Sequence, residues 1–428
     1  MPKLTIIYLG VSVGIALQIG AANWDIIWHG ITDVESFFTP PHTVLYSGVA
    51  LTICSVSIGI IQYVRLGGTK GEKEKKHEQQ PEVHEPSELT TTKKTLSKAR
   101  QSSSPSSSLL TSFYCLIQTL FKMPYPIKLV TIGTIIEIFS GGFDSWWHYN
   151  FGFDGLLSPP HLMLTIGMLT AIYGTLIGIY KLLHYNNNKS NSRNTLLKIS
   201  FIIAYAVAWI VSVNTIFMFS LPYSKGQYFD FNPDPFAAIL IASVAIPFVS
   251  GMLFYSAAKT LGDVHFRFTF ITLAFMIIHS TATIISNSHF AILYPLYLLN
   301  IIPSLAADIF ISSKRNQYCG RESNAHFIVE TKGAGISNLS RNQRTMIFCS
   351  AIVPMIFITL FFPWSVNTYK EFFGINMNTF ESITIFNQLL WPFIIPYIIP
   401  VSVLMAIMGS YIMSRILGKL WNKMFTDE

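Results

Sequence analysis

An all-α membrane bundle is the fold class this sequence predicts, on three observations. Of its 428 residues, 51% are hydrophobic and only 12% charged, with a mean hydropathy of +0.44; soluble domains carry roughly twice that charged fraction. The apolar residues are gathered in runs long enough to cross the hydrocarbon core as helices rising about 1.5 Å per residue. One polar pattern, an acidic residue with two histidines, then interrupts these runs twice at the same spacing.

Taken in order, Leu4 to Ala22 is the first apolar run, and about 42 to 64 the second. A cleaved signal peptide ending at Ala21-Ala22 is the rival reading of the first. A retained span is favoured because this run occupies the same place in the repeat as the later run 127–143. From Arg65 to Ser108 the chain turns to Lys, Glu, Gln, Ser and Pro. Such a segment buries too little apolar surface to offset its chain entropy, so a disordered charged linker is expected. The run 109–121 is short and closed by Pro124 and Pro126, which suits a surface-lying or re-entrant helix. Further spans are predicted at about 127–143, 161–183, 199–221, 235–258, 266–285, 289–312, 345–363 and 384–413, about ten transmembrane helices in all. The organisation is a first membrane hairpin (1–64), the linker (65–108), a second hairpin (109–185) and C-terminal membrane helices (186–428).

Charge placement predicts orientation. Arg65 to Arg100 holds nine Lys and Arg, and 189–198, 314–344 and 415–423 are also basic, whereas 23–41 and 144–160 contain none. By the positive-inside rule both termini are cytoplasmic and the two motif loops non-cytoplasmic, in a protein of the cell membrane. The net charge of +7 points to the lipid bilayer as partner; with no aromatic interleaving among the basic residues, nucleic acid is not expected. Cys54, Cys115, Cys319 and Cys349 are too scattered for a disulfide framework or thiolate site. No phosphate-binding loop, nucleophile elbow or dinucleotide fingerprint occurs.

The internal repeat carries the chemistry. Asp25, Trp28, His29, Glu35, Thr39, Pro40, Pro41 and His42 each recur 119 positions later as Asp144, Trp147, His148, Asp154, Ser158, Pro159, Pro160 and His161. On a helix, 137, 144 and 148 fall within roughly 20° of one line. Glu137, Asp144 and His148 therefore share a face, as do Gln18, Asp25 and His29. Thr39 and Ser158 suit the N-cap and the prolines the first helical position, which places His42 and His161 in the first turn of the next helix. Each hairpin then gathers one carboxylate and two imidazoles, a donor set for copper, zinc or non-haem iron. A bound cation would offset the cost of placing these groups near hydrocarbon. Glu35, Asp154 and Glu137 are candidates for supporting the ligands from behind. The alternative for either copy taken singly is a hydrogen-bonded interfacial cap with tryptophan anchors; the repetition favours metal.

At these residues the chain resembles the C subunit of the copper-containing membrane monooxygenases, the particulate methane and ammonia monooxygenases. The matching pattern is Asp25-x-x-Trp28-His29 through Thr39-Pro40-Pro41-His42, with Glu35 where the family has an acidic loop residue. The resemblance implies copper as cofactor, with Asp25, His29 and His42 as one ligand set and Asp144, His148 and His161 as another. The family's second site has Asn where this chain has Asp144, so one shared centre and two separate centres both stay open. About a third of the chain, 1–65 and 125–185, carries the resemblance.

The expected function is a membrane metalloprotein acting as, or within, an oxidoreductase, together with other membrane subunits and a small apolar substrate. The alternative is non-catalytic copper binding or transport, in which the metal ion is cargo and a polar path runs through Glu137, His279 and Asp308. His279, His289 and Asp308, in or beside apolar runs, are additional ligand candidates. The segment 227–235 could be a third repeat stripped of its histidines.

Overall fold

The structure is a computed structural model and describes residues 2–31, 38–78, 123–152, 157–186, 191–220, 235–262, 264–286, 291, 298–319, 340–355 and 390–426. Within them the regular structure is helical: α1 (Pro2–Ile31), α2 (Pro40–Glu78), α3 (Tyr125–Phe151), α4 (Pro159–Asn186), α5 (Asn191–Ser220), α6 (Pro235–Thr260), α7 (Arg267–Ser286), α8 (Ile301–Cys319) and α9 (Arg341–Ile352). A π-helical turn, Leu390–Ile398, leads into α10 (Ile399–Thr426).

Among the described residues seven helices are long and apolar enough to span a membrane, α1 to α6 and α10. Ten spans are expected from the sequence. Within the described residues the apolar parts of α7 and α8 are shorter, Arg267–Ala282 and Ile301–Ser313. The expected spans 345–363 and 384–413 fall partly outside the described residues, as do the short helix 109–121, most of the linker and the segment 227–234. The described start of the linker is helical, since α2 continues to Glu78. A helix already nucleated in the membrane extends readily into Lys and Glu, which are good helix formers.

Helix α5 is the hub. It packs against α1, α4, α6 and α7, and its span is 72% buried, against 28% for that of α2 and 22% for that of α10. Trp209 is the centrepiece: its ring lies against Phe254 and Phe275, and its Nε1–H donates to Ser250 Oγ at 2.8 Å. Lipid offers no hydrophobic drive between helices, so such packing and interhelical hydrogen bonds hold the bundle.

Small residues set the two motif hairpins. Between α3 and α4 the backbones touch at Gly133 and Gly167: a Cβ on Gly133 would lie 2.6 Å from Gly167 O and 2.6 Å from Ala171 N. Between α1 and α2, a Cβ on Gly48 would lie 2.6 Å from Gly14 O and 2.8 Å from Gln18 Cγ. Helices can approach this closely only where no side chain intervenes. Helix α2 also packs on α3, so the hairpins are neighbours.

Candidate metal centre

Asp144 and His148 stand one turn apart on α3, which runs through both before ending at Phe151. The non-helical part of the second motif loop is thus shorter than 144–160. Gly152 stops the helix at φ +73°, a conformation glycine adopts without strain, and its N–H donates to His148 O at 3.0 Å. His161 comes from the start of α4, which begins at Pro159, as the cap residues predict. Ser158 Oγ accepts from the His161 N–H at 3.4 Å and Ser158 O from the Leu162 N–H at 2.9 Å. The first hairpin repeats this: α2 begins at Pro40, with Thr39 Oγ1 accepting from the His42 N–H at 3.4 Å.

These anchors bring three ligand atoms together. Asp144, His148 and His161 each present one donor atom, all within 4.8 Å of one another, and all three residues are half-buried. Both imidazoles aim Nε2 at the same oxygen: His148 Nε2 lies 3.5 Å and His161 Nε2 3.4 Å from Asp144 Oδ1. These separations exceed the roughly 2.8 Å of a charge-assisted hydrogen bond. They match the edge of a tetrahedron, since two ligands about 2.1 Å from a common ion stand about 3.4 Å apart. The donor set and its spacing could hold a metal ion.

A carbonyl fixes the tautomer of one ligand. His148 Nδ1 lies 3.1 Å from Gly152 O. A carbonyl only accepts, so Nδ1 carries a hydrogen, which leaves Nε2, toward Asp144, as the ring nitrogen that could bind a cation. Sequence reasoning assigned the supporting role to Asp154 and missed Gly152. The glycine four residues after His148 signals the helix stop, but not the direction of its carbonyl. Asp154 and Glu35 lie outside the described residues.

In the first hairpin His42 Nε2 lies 3.3 Å from Asp25 Oδ2; the side chain of His29 lies outside the described ones. The two half-sites are adjacent. His42 is within electrostatic reach of Asp144, and Tyr46, one turn along α2 and 5.9 Å from the His42 ring, is within reach of both Asp144 and Asp25. Aromatic rings flank the second half-site, with Trp147 4.5 Å from Phe151 and 5.9 Å from Phe143 between centroids.

Among the described residues, the candidates Glu137, His279 and Asp308 are not part of this cluster. Glu137 is buried and paired with Gln18, whose Nε2–H donates to it at 3.2 Å. His279 accepts from Asn23 Nδ2 at 3.4 Å, and Asn23 Oδ1 accepts from Asn214. Asp308 serves the N-terminus of α7: it accepts from the backbone N–H groups of Phe268 (3.3 Å) and Thr269 (2.8 Å) and from the Thr269 hydroxyl (2.9 Å). That is a carboxylate satisfying orphan helix N–H groups, which makes Asp308 a structural anchor for the start of α7. His289 lies outside the described residues. Comparison with family models, curated proteins and solved structures finds no match to this chain.

Proposed function

We propose that this chain is a membrane metalloprotein that holds copper at Asp144, His148 and His161, acting as or within an oxidoreductase related to particulate monooxygenase C subunits. The observation that carries the metal reading is the convergence of one carboxylate oxygen and two imidazole nitrogens within 4.8 Å. The oxidative role rests on the motif Asp-x-x-x-His with its Pro-Pro-His entry, present twice. Copper bound there supplies Lewis acidity and one-electron redox chemistry. The chain's own residues orient the ligands: Gly152 sets the His148 tautomer, Ser158 seats the turn bearing His161, and Phe143, Trp147 and Phe151 crowd the helix beside them. Asp144 contributes the negative charge that makes a cation welcome near hydrocarbon.

The two hairpins are read as a duplicated unit whose half-sites face each other. In support, Gly14 meets Gly48 as Gly133 meets Gly167, and Gln18 is bonded to Glu137, its own counterpart 119 residues on. Asp25, His29 and His42 form the second ligand set, beside Tyr46. The expected side of the C-terminus draws support from the packing of α10 on α6. Ser402 donates to Ser243 O and Ser410 to Gly251 O, so α6 and α10 run parallel and end at the same face. The transport alternative calls for a polar path through Glu137, His279 and Asp308, which are hydrogen-bonded to Gln18, Asn23 and Thr269 respectively.

Metal analysis of purified protein tests the reading. About one copper per second-hairpin site is expected, lost in His161→Ala; copper content unaffected by that change would exclude the assignment.

A further inference from the structure

Glu137 stands near the middle of the span Tyr125–Phe151 and is 2% exposed. Gln18 of α1 faces it and is fully buried. Gln18 Nε2 donates to Glu137 Oε2 at 3.2 Å and to Thr52 Oγ1 of α2 at 3.3 Å, and the Thr52 hydroxyl donates to Gly48 O at 3.0 Å. Among the described residues that leaves two buried oxygens, Glu137 Oε1 and Gln18 Oε1, with no hydrogen-bond donor. On the α4 side the carboxyl stem is walled by Gly167, where a Cβ would come 2.9 Å from Glu137 Cγ. Among the described residues, Gln18 is the side chain that hydrogen-bonds the Glu137 carboxyl. The nearest titratable group along α3 toward the metal centre is Asp144, about 10 Å away by helical rise.

A carboxylate at the bilayer centre without a cationic partner is costly. Two acceptors that lack a donor are also costly. One hydrogen on the carboxyl remedies both. An amide is the partner suited to such a group, because its NH2 donates to a carboxylate and its carbonyl, after a half-turn, accepts from a carboxylic acid. A lysine or arginine in place of Gln18 would serve the ionised form alone.

We propose that the Glu137–Gln18 pair is a proton-binding site at the centre of the membrane, separate from the metal ligands. It takes one proton from the aqueous phase onto the Glu137 carboxylate and returns it by the reverse step, with Gln18 hydrogen-bonded in both states. The site does not depend on the metal reading, since none of its residues is a ligand.

Infrared spectroscopy of the purified, metal-free full chain in detergent at neutral pH tests it. A protonated carboxyl gives a C=O stretch apart from the amide and carboxylate bands. Wild-type protein is expected to show this band and Glu137→Gln to lack it, the loss amounting to one carboxyl per chain. A band that is absent from wild type, or unchanged in the variant, overturns the proposal. So does a band abolished by added sodium ion at constant pH, which would make this a metal-cation site. Should Glu137→Gln fail to fold, Gln18→Met gives a second readout. The acid then loses its hydrogen-bond partner and its band moves to higher wavenumber; an unmoved band overturns the proposal.

Discussion

Replacing Gly133 by alanine adds one methyl group where α3 and α4 touch. The new Cβ would lie 2.6 Å from Ala171 N, 2.6 Å from Gly167 O and 2.9 Å from Ala171 Cβ. Two of these three neighbours are backbone atoms, so no side chain can swing aside. The helices must part by the better part of an ångström to restore ordinary contact. A gap of that size forfeits a quarter to a half of each dispersion contact along the seam. Overpacking of this kind costs about 1–3 kcal/mol. Gly142→Ala is the control: its Cβ meets nothing within 4 Å, and alanine in a helix gains about 0.5–1 kcal/mol over glycine. Unfolding both variants in mixed micelles against a denaturing detergent compares them directly. Gly133→Ala should unfold earlier than wild type, and Gly142→Ala no earlier. Equal stability of the two variants would refute the argument that a glycine seam sets the hairpin. Because the parting shifts α4 against α3, Gly133→Ala should also weaken metal binding at His161 and Asp144.

Three more outcomes are expected. Asp144→Asn, which keeps the shape but removes the charge shared by both imidazoles, should lower copper affinity by at least the 10- to 100-fold typical of losing a supporting group, read by competition with a chelator. Asp308→Ala should destabilise the protein by about 1–3 kcal/mol, since it strips an acceptor from two backbone N–H groups and a hydroxyl, while leaving metal content unchanged; a loss of metal would restore Asp308 as a ligand. Acidification should release the metal, because protons compete for the imidazole and carboxylate lone pairs; affinity measured by equilibrium dialysis should fall as pH falls, and pH-independent binding would contradict the ligand set.

Much of this was legible in the sequence because the motif hairpins obey local rules. Thr39 and Ser158 followed by proline define a helix start from composition alone, and α2 and α4 begin there. Helical periodicity placed Asp144 and His148 on one face, and the 119-residue offset identified which residues to compare. What was not legible came from contacts between distant segments. Periodicity put Glu137 on the ligand face, but only the packing of α1 on α3 reveals Gln18 as its partner. Asp308 reads as an intramembrane acid until α7 is seen to start beside it. The carbonyl of Gly152 leaves no trace in residue type, because any residue has one; only the left-handed turn there aims it at His148.

The central claim is that Asp144, His148 and His161 bind a metal ion, and metal stoichiometry on purified protein tests it most directly. Elemental analysis and electron paramagnetic resonance should find copper with nitrogen ligands in the wild-type chain. His148→Ala and His161→Ala should each lose the ion bound at that site while still folding. Full copper content with an unaltered spectrum in both variants would contradict the account.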